Sequence, residues 1–166
     1  PLLMVTFALN YFFGGLNPFT YHLINFFIHA LCSLLVYFIT LSILKEANEG
    51  KIQKPERNQI IALFAALIFA VHPVQTESVT YITGRSSPLT GLFFLGSFLA
   101  FIRYRFANKI YLLLLSLIIY SFALLAKETA ITLPILLFLY DLFFPHQRNW
   151  RQRLFPLFLF LIPSVI

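Results

Sequence analysis

Residues 59–102 read QIIALFAALIFAVHPVQTESVTYITGRSSPLTGLFFLGSFLAFI, which is two apolar runs separated by a polar break at residues 72–85. The rest of the chain repeats this pattern: of its 166 residues, 60% are hydrophobic and 11% are charged, and the mean hydropathy is +0.84. Soluble domains contain about 25% charged residues, because their surfaces must face water. The composition therefore predicts a membrane protein.

The apolar runs predict an all-α, polytopic transmembrane helix bundle. A spanning helix needs about 20 mostly apolar residues. Within a single domain over residues 1–166, the predicted spans are 21–44, 59–73, 88–102, 110–126, 130–144 and an incomplete sixth at 154–166. Residues 1–20 are broken by Asn10 and a Gly-Gly pair, so they predict an interfacial or re-entrant helix, or else a spanning helix that was cut short. Pro134 predicts a kink near the start of the fifth span.

The basic residues alternate between the two sides of this bundle. Ten of the twelve Lys and Arg residues lie in three basic loops, at 45–58, 103–109 and 145–153. The other two, Arg85 and Lys127, lie in the loops between them. Loops rich in Lys and Arg stay in the cytoplasm. The N-terminal stretch, the polar break and Lys127 are therefore predicted on the outer side, in the periplasm, exterior or lumen.

Three polar side chains of the first span share one helix face, because His22, Asn25 and His29 are three and four residues apart. Polar groups at membrane depth normally face protein or water rather than lipid. We predict that Asn25 and His29 bond to neighbouring helices. For His22, near the outer end, a structural role and a role in a site remain equally open.

The predicted outer side collects the few ionisable groups that could do chemistry: His22, His72, Glu77, Arg85, Lys127 and Glu128. Arginine and lysine could hold the phosphate of a lipid-linked substrate, and His72, Glu128 and His22 could help to bind it. A carboxylate such as Glu77 or Glu128 could act as a general base, or could simply pair with a cation, as Glu128 could with Lys127. His72, directly before a proline, could also simply cap a helix end. No metal-ligand spacing is present, and the single Cys32 excludes an internal disulfide.

Three blocks of this sequence resemble one family. They are FALNYFFGGLNPFTYHLINFFIHALCSLLVY at 7–37, LIFAVHPVQTESVTYITGRSSPLTGLFFL at 67–95 and LLAKETAITLPILLFLYDLF at 124–143. In this order they are similar to the transmembrane and tetratricopeptide-repeat O-mannosyltransferases and their prokaryotic relatives, of the GT-C class of polytopic glycosyltransferases. Where many relatives carry His, Trp and Asp, this chain has Gln75, Tyr81 and Ser87. These differences bear on the specificity for sugar or acceptor more than on the class of enzyme.

The resemblance implies a GT-C-like glycosyltransferase in a bilayer, either a bacterial or archaeal cytoplasmic membrane or the endoplasmic reticulum. It would move a sugar, typically mannose, from a polyprenyl- or dolichyl-phosphate carrier to a protein hydroxyl on the outer or lumenal face. No tightly bound cofactor and no nucleic-acid partner are expected. The family's catalytic acid would precede residue 1 and its repeats would follow residue 166. The main base is therefore expected outside this segment, and Glu77 stays a secondary candidate.

Two other functions remain open from the residues. One is a non-catalytic membrane anchor or scaffold for repeats that lie outside this segment. The other is a transporter of a lipid-linked sugar, for which paired broken helices near the membrane midplane would be expected. An acidic residue in the preceding outer loop would favour the enzyme.

Overall fold

The computed structural model describes residues 1–48, 55–76, 80–144 and 150–164, and every regular element within these ranges is helical. The α-helices are α1 (Leu2–Gly14), α2 (Pro18–Ala47), α3 (Pro55–Val71), α4 (Ser86–Ala107), α5 (Ile110–Ala126), α6 (Leu133–Phe143) and α7 (Trp150–Ser164). Short 3-10 turns lie between them at Pro73–Gln75, Ile82–Arg85 and Glu128–Thr132. The predicted all-α fold is confirmed for these residues.

Two of these helices, α2 with 30 residues and α4 with 22, are long and apolar enough to cross a membrane by length and composition. Shorter apolar helices lie at residues 2–14, 110–126 and 154–163. At about 1.5 Å per residue, the 17-residue α5 is about 25 Å long, slightly less than a typical hydrocarbon core. The count of five full spans therefore stays a prediction.

The helix ends follow local capping chemistry. The side chain of Asn17 accepts a hydrogen bond from the Phe19 amide at 3.0 Å, and Pro18 occupies the first turn of α2, so this helix begins before the predicted residue 21. Helix α4 ends where Asn108 adopts φ 52°, a left-handed cap. Arg103 and Arg105, predicted to lie in a loop, are consequently part of α4. Pro134 lies in the first turn of α6, where it costs no backbone hydrogen bond.

Helix α4 is the centre of the bundle, with α2 on one side and α5 on the other. Its contact with α5 contains a pair of fully buried serines: Ser97 donates to the Ser116 carbonyl oxygen at 2.8 Å, and Ser116 donates to the Ser97 carbonyl oxygen at 2.7 Å. Such small hydroxyl residues allow two helices to approach closely and to bond across their contact. The main apolar core lies beside this pair, around Phe101 and Tyr120, and includes residues of α6 and α7.

Charged and polar side chains are buried in this bundle, whereas many large apolar side chains are exposed. On α4 and α6, Arg105 and Asp141 form an ion pair with side-chain exposures of 1% and 6%. Beside it the Tyr140 hydroxyl donates to Glu46 of α2. Exposed apolar side chains occur on every α-helix, for example Phe12, Phe64 and Ile118. This distribution is the reverse of that of a water-soluble globule.

Candidate functional site

Arg85, at the end of the turn Ile82–Arg85, is fully buried and bonded to two other helices. Its Nε donates to Asn25 Oδ1 of α2 and its Nη2 donates to Asn10 Oδ1 of α1, both at 2.7 Å. The guanidinium also donates to the carbonyl oxygens of Tyr21, at 3.2 Å, and Thr6, at 3.4 Å. We call Arg85 and these four residues the Arg85 cluster.

The positive charge of Arg85 is stabilised by neutral groups, namely its hydrogen-bond partners and two aromatic rings. The guanidinium carbon lies 4.6 Å from the Phe7 ring centroid and 5.6 Å from the Tyr21 ring centroid, within the range of cation–π attraction. Burial lowers the pKa of Arg85 below its usual value, because water that would solvate the charge is excluded. An arginine nevertheless stays charged at neutral pH. The cluster therefore holds a full positive charge with amide, carbonyl and aromatic partners.

The turn between α1 and α2 brings Asn10 to this position. Gly15 adopts φ 57°, a conformation that glycine reaches without steric cost. At Gly14 the two helices approach so closely that a Cβ would lie 2.5 Å from the Thr20 hydroxyl oxygen. That oxygen accepts a hydrogen bond from Asn10 Nδ2 at 3.0 Å, which fixes the amide with its oxygen toward Arg85.

Asn25 and His29 link helices, as their position in an apolar span predicts. Asn25 Nδ2 donates to the Tyr81 carbonyl oxygen at 3.2 Å, while its oxygen accepts from Arg85. The Nε2 atom of His29 lies 3.0 Å from the Ala70 carbonyl oxygen, at the end of α3. These contacts confirm the structural interpretation of both side chains.

A separate pocket of about 300 Å³ lies between the start of α4 and the turn Glu128–Thr132. Among the residues that the structure describes, its lining is mostly small or hydroxylated and includes one cation: Ser87, Thr90, Gly91, Phe94, Lys127, Thr129, Ala130 and Thr132. We call this the Lys127 pocket. Lys127 is exposed at its mouth, and Arg85 is not among the residues that line it. The Thr90 and Thr132 hydroxyls donate to the carbonyl oxygens of Ser86 and Thr129. A cation beside the hydroxyls of Ser87 and Thr129 suits an anionic or polyhydroxylated ligand.

A second cleft, of about 450 Å³, adjoins the Lys127 pocket along α4, since Ser87, Gly91 and Phe94 line both. Its other wall is formed by the end of α3, the turn Pro73–Gln75 and α2, through Val74, Gln75 and His29 among others. The polar break therefore borders a cavity that shares one wall, on α4, with the Lys127 pocket.

The other predicted site residues lie in different surroundings. His72 is exposed, and its Nδ1 accepts a hydrogen bond from the Val74 amide at 3.2 Å, so that it caps the turn Pro73–Gln75 as the simpler interpretation has it. His22 is half-buried on α2, and Glu128 is exposed beside Lys127. Glu77 lies outside the residues that the structure describes. The described part of the chain contains no group of three potential metal ligands.

Two groups of residues in these sites were not predicted from the sequence. Asn10 and Thr6, on the apolar helix α1, are partners of Arg85, and an asparagine in an apolar run is the signal that could have indicated it. The hydroxyl lining contributed by Thr90, Thr129 and Thr132 has no comparable signal, because threonine is common in helices and turns.

Comparison with known proteins gives matches over most of the chain. Protein O-mannosyl-transferase TMTC1 of Mus musculus is 37% identical over 160 residues, which is 90% of this chain and 16% of that protein. Protein O-mannosyl-transferase TMTC4 of Homo sapiens is 36% identical over 143 residues, 80% of this chain and 19% of that protein. Protein O-mannosyl-transferase Tmtc1 of Drosophila melanogaster is 34% identical over 149 residues, which is again 90% of this chain and 16% of that protein.

The chain thus spans about a sixth of the length of the relatives that it matches. No family model and no solved structure matches it.

Proposed function

Because the chain is TMTC-like over most of its length, we propose that it forms part of the membrane domain of a protein O-mannosyl-transferase. The enzyme takes mannose from a polyprenyl- or dolichyl-phosphate carrier and transfers it to a protein hydroxyl on the outer or lumenal face. The observation in the structure that supports this chemistry best is the Lys127 pocket, a cation among hydroxyl groups.

The proposal includes a multi-pass membrane topology of about five spans with an interfacial α1. The reversed burial pattern supports it, since side chains such as Phe12 and Ile118 are exposed while Arg105 and Asp141 are buried. A bilayer accepts apolar surface and requires buried polar groups to bond within the protein. The membrane is that of a bacterial or archaeal cell, or of the endoplasmic reticulum.

In this proposal Lys127 holds the phosphate of the sugar donor. A lysine ammonium is a compact point charge with three donor hydrogens, and it binds phosphate without a fixed orientation. Ser87 and Thr129 line the same pocket, and each hydroxyl can donate one hydrogen bond to a phosphate or sugar oxygen. The Thr132 hydroxyl donates to the Thr129 carbonyl oxygen at 3.0 Å and can only accept from a ligand. Glu128 lies next to the lysine in sequence, and the proposal assigns no general base to it.

Replacement of Lys127 tests the proposal. A hydrogen bond to a charged group contributes about 1.5–3 kcal/mol, which corresponds to a factor of about 10 to 100 in kcat/KM. We expect Lys127→Ala in the full-length protein to lower kcat/KM for polyprenyl-phosphate mannose by that factor, chiefly through a higher KM for the donor. Lys127→Arg, which keeps the charge, should retain much of the activity.

Lys109→Ala is the matched control, because Lys109 is also an exposed lysine next to α5 but lies at its opposite end. It should behave as wild type. Normal kinetics of Lys127→Ala would refute the assignment of the phosphate to this pocket. A full-length protein that inserts into membranes and transfers no sugar from any polyprenyl-phosphate donor would refute the enzymatic function itself.

A further inference from the structure

We propose that Arg85 is a positioning residue, which holds α1 and α2 against the start of α4 and thereby fixes one wall of the Lys127 pocket. The inference rests on the proposed function, and it differs from a direct contact between Arg85 and the donor phosphate. The juxtaposition that carries it is a fully buried guanidinium, bonded to two helices, one residue before a third helix begins.

The first step is that every nitrogen of Arg85 already donates to the protein, and the bonds of the Arg85 cluster use four of its five N–H groups. Nε is bonded to Asn25, Nη2 to Asn10 and the Tyr21 carbonyl, and Nη1 to the Thr6 carbonyl. The side chain is 0% exposed, and the Phe7 ring lies over the guanidinium. A phosphate could reach it only if α1 moved away.

The second step is that the cluster brackets the turn before α4 at both ends. Asn25 accepts from Arg85, the last residue of the turn, and donates to the carbonyl of Tyr81, the residue that precedes the turn. Helix α4 begins at Ser86, and Ser87 and Thr90 line the Lys127 pocket. Because a helix is stiff along its axis, the position of Arg85 sets the position of these two side chains.

The third step concerns what happens when either side of the cluster is removed. Without Arg85, the oxygens of Asn10 and Asn25 lose their donor; without Asn10, the buried cation loses one of its acceptors. A buried polar group without a partner is destabilising, so both changes weaken the same hydrogen-bonded contact between α1 and the start of α4. When two substitutions weaken the same contact, their effects on activity do not add.

The test is a double-mutant cycle in the full-length protein, with Arg85→Ala, Asn10→Ala and their combination. A displacement of about 1 Å in a reacting site can cost up to about 100-fold in rate. We expect each single variant to lower kcat/KM for polyprenyl-phosphate mannose by about 10- to 100-fold, and the combination to cost no more than one of them. Leu9→Ala is the matched control, since Leu9 precedes Asn10 and is exposed on α1. It should remain at wild-type activity.

A structural readout is independent of catalysis. Ser87→Cys places a thiol at the exposed pocket wall, and its rate of maleimide labelling should change several-fold in the Arg85→Ala and Asn10→Ala backgrounds but not with Leu9→Ala. If the wild-type protein transfers no mannose, the proposed function fails, and this labelling still decides whether Arg85 positions the wall. Unchanged labelling in both backgrounds would overturn the inference.

Asn10→Asp distinguishes a positioning role of Arg85 from a direct contact with the donor phosphate, even if the alanine variants do not fold. The carboxylate keeps an acceptor for Nη2 and adds an ion pair. It loses the Nδ2 donor to Thr20, but the Thr20 hydroxyl can rotate away from the Asn17 carbonyl and donate to the carboxylate instead. A positioning role therefore predicts activity and labelling within about threefold of wild type. A direct phosphate contact predicts the reverse, because the new negative charge would neutralise the cation and repel the donor. A donor KM raised tenfold or more by Asn10→Asp would overturn the inference. Wild-type activity of Asn10→Ala combined with an inactive Arg85→Ala would overturn it as well.

Discussion

Removing Asp141 should destabilise the contact between α4 and α6 more than any change at an exposed position. The carboxylate pairs with Arg105, and the two side chains are 6% and 1% exposed. Asp141→Ala removes the carboxylate that pairs with this buried arginine, although the guanidinium still lies 4.7 Å from the Phe101 ring centroid. Breaking a buried pair in this way costs about 3–5 kcal/mol. Replacing both partners by apolar residues of similar volume, Arg105→Met with Asp141→Leu, should restore most of the loss, because no charge is then stranded.

Hydrogen–deuterium exchange in the detergent-solubilised full-length protein measures this locally. A loss of 3–5 kcal/mol in the free energy of opening corresponds to exchange that is about 100- to 1,000-fold faster or more in peptides of α4 and α6. Arg103→Gln is the control, since Arg103 is on the same helix but exposed, and should shift stability by no more than about 0.5 kcal/mol. The reasoning fails if Asp141→Ala exchanges like Arg103→Gln, or if the double replacement costs the sum of the two single losses.

Three further changes test the helix contacts and the topology. Gly14→Ala should destabilise the α1–α2 turn by about 1–3 kcal/mol, because its Cβ would lie 2.5 Å from the Thr20 hydroxyl oxygen, and unchanged thermal stability would contradict this close approach. Ser97→Ala should cost about 0.6–1.7 kcal/mol in the same melting assay, since it removes a buried hydroxyl bond between α4 and α5 but keeps a small side chain; a stabilised variant would argue against that bond. An impermeant thiol reagent added from outside should label Thr80→Cys and spare Asn108→Cys, and the opposite pattern would reverse the predicted topology.

The arrangement of helices along the chain followed from hydrophobicity, but the helix ends did not. The span predicted at 110–126 coincides with α5, because a cation on either side limits that apolar run. Helix α4 extends beyond the span predicted at 88–102, from Ser86 to Ala107. Charged residues normally mark the end of a membrane span, but Arg105 finds a carboxylate inside the bundle and therefore continues the helix.

For single polar residues, the sequence predicted that a partner was needed but not which residue the partner would be. Asn25 and His29 had to find partners because they lie in an apolar helix, and they do. The same reasoning could not give Arg85 its partners, which are 60 and 75 residues away in the sequence. It placed Arg85 and Lys127 on one predicted side of the membrane. In the structure Lys127 lines the Lys127 pocket, while Arg85 is buried against α1 and α2.

A helical, strongly apolar chain with its ionisable groups concentrated in a few polar breaks was predictable, because these properties depend on composition and on spacing along the chain. What each break does depends on how the helices pack. Burial, pairing and pocket walls depend on which side chains meet across distant helices, and no local pattern encodes those contacts. The break at residues 72–85 is an example. Its polarity is evident in the sequence, but the burial of Arg85 depends on α1 and α2, which pack around it and supply Asn10 and Asn25 as its partners.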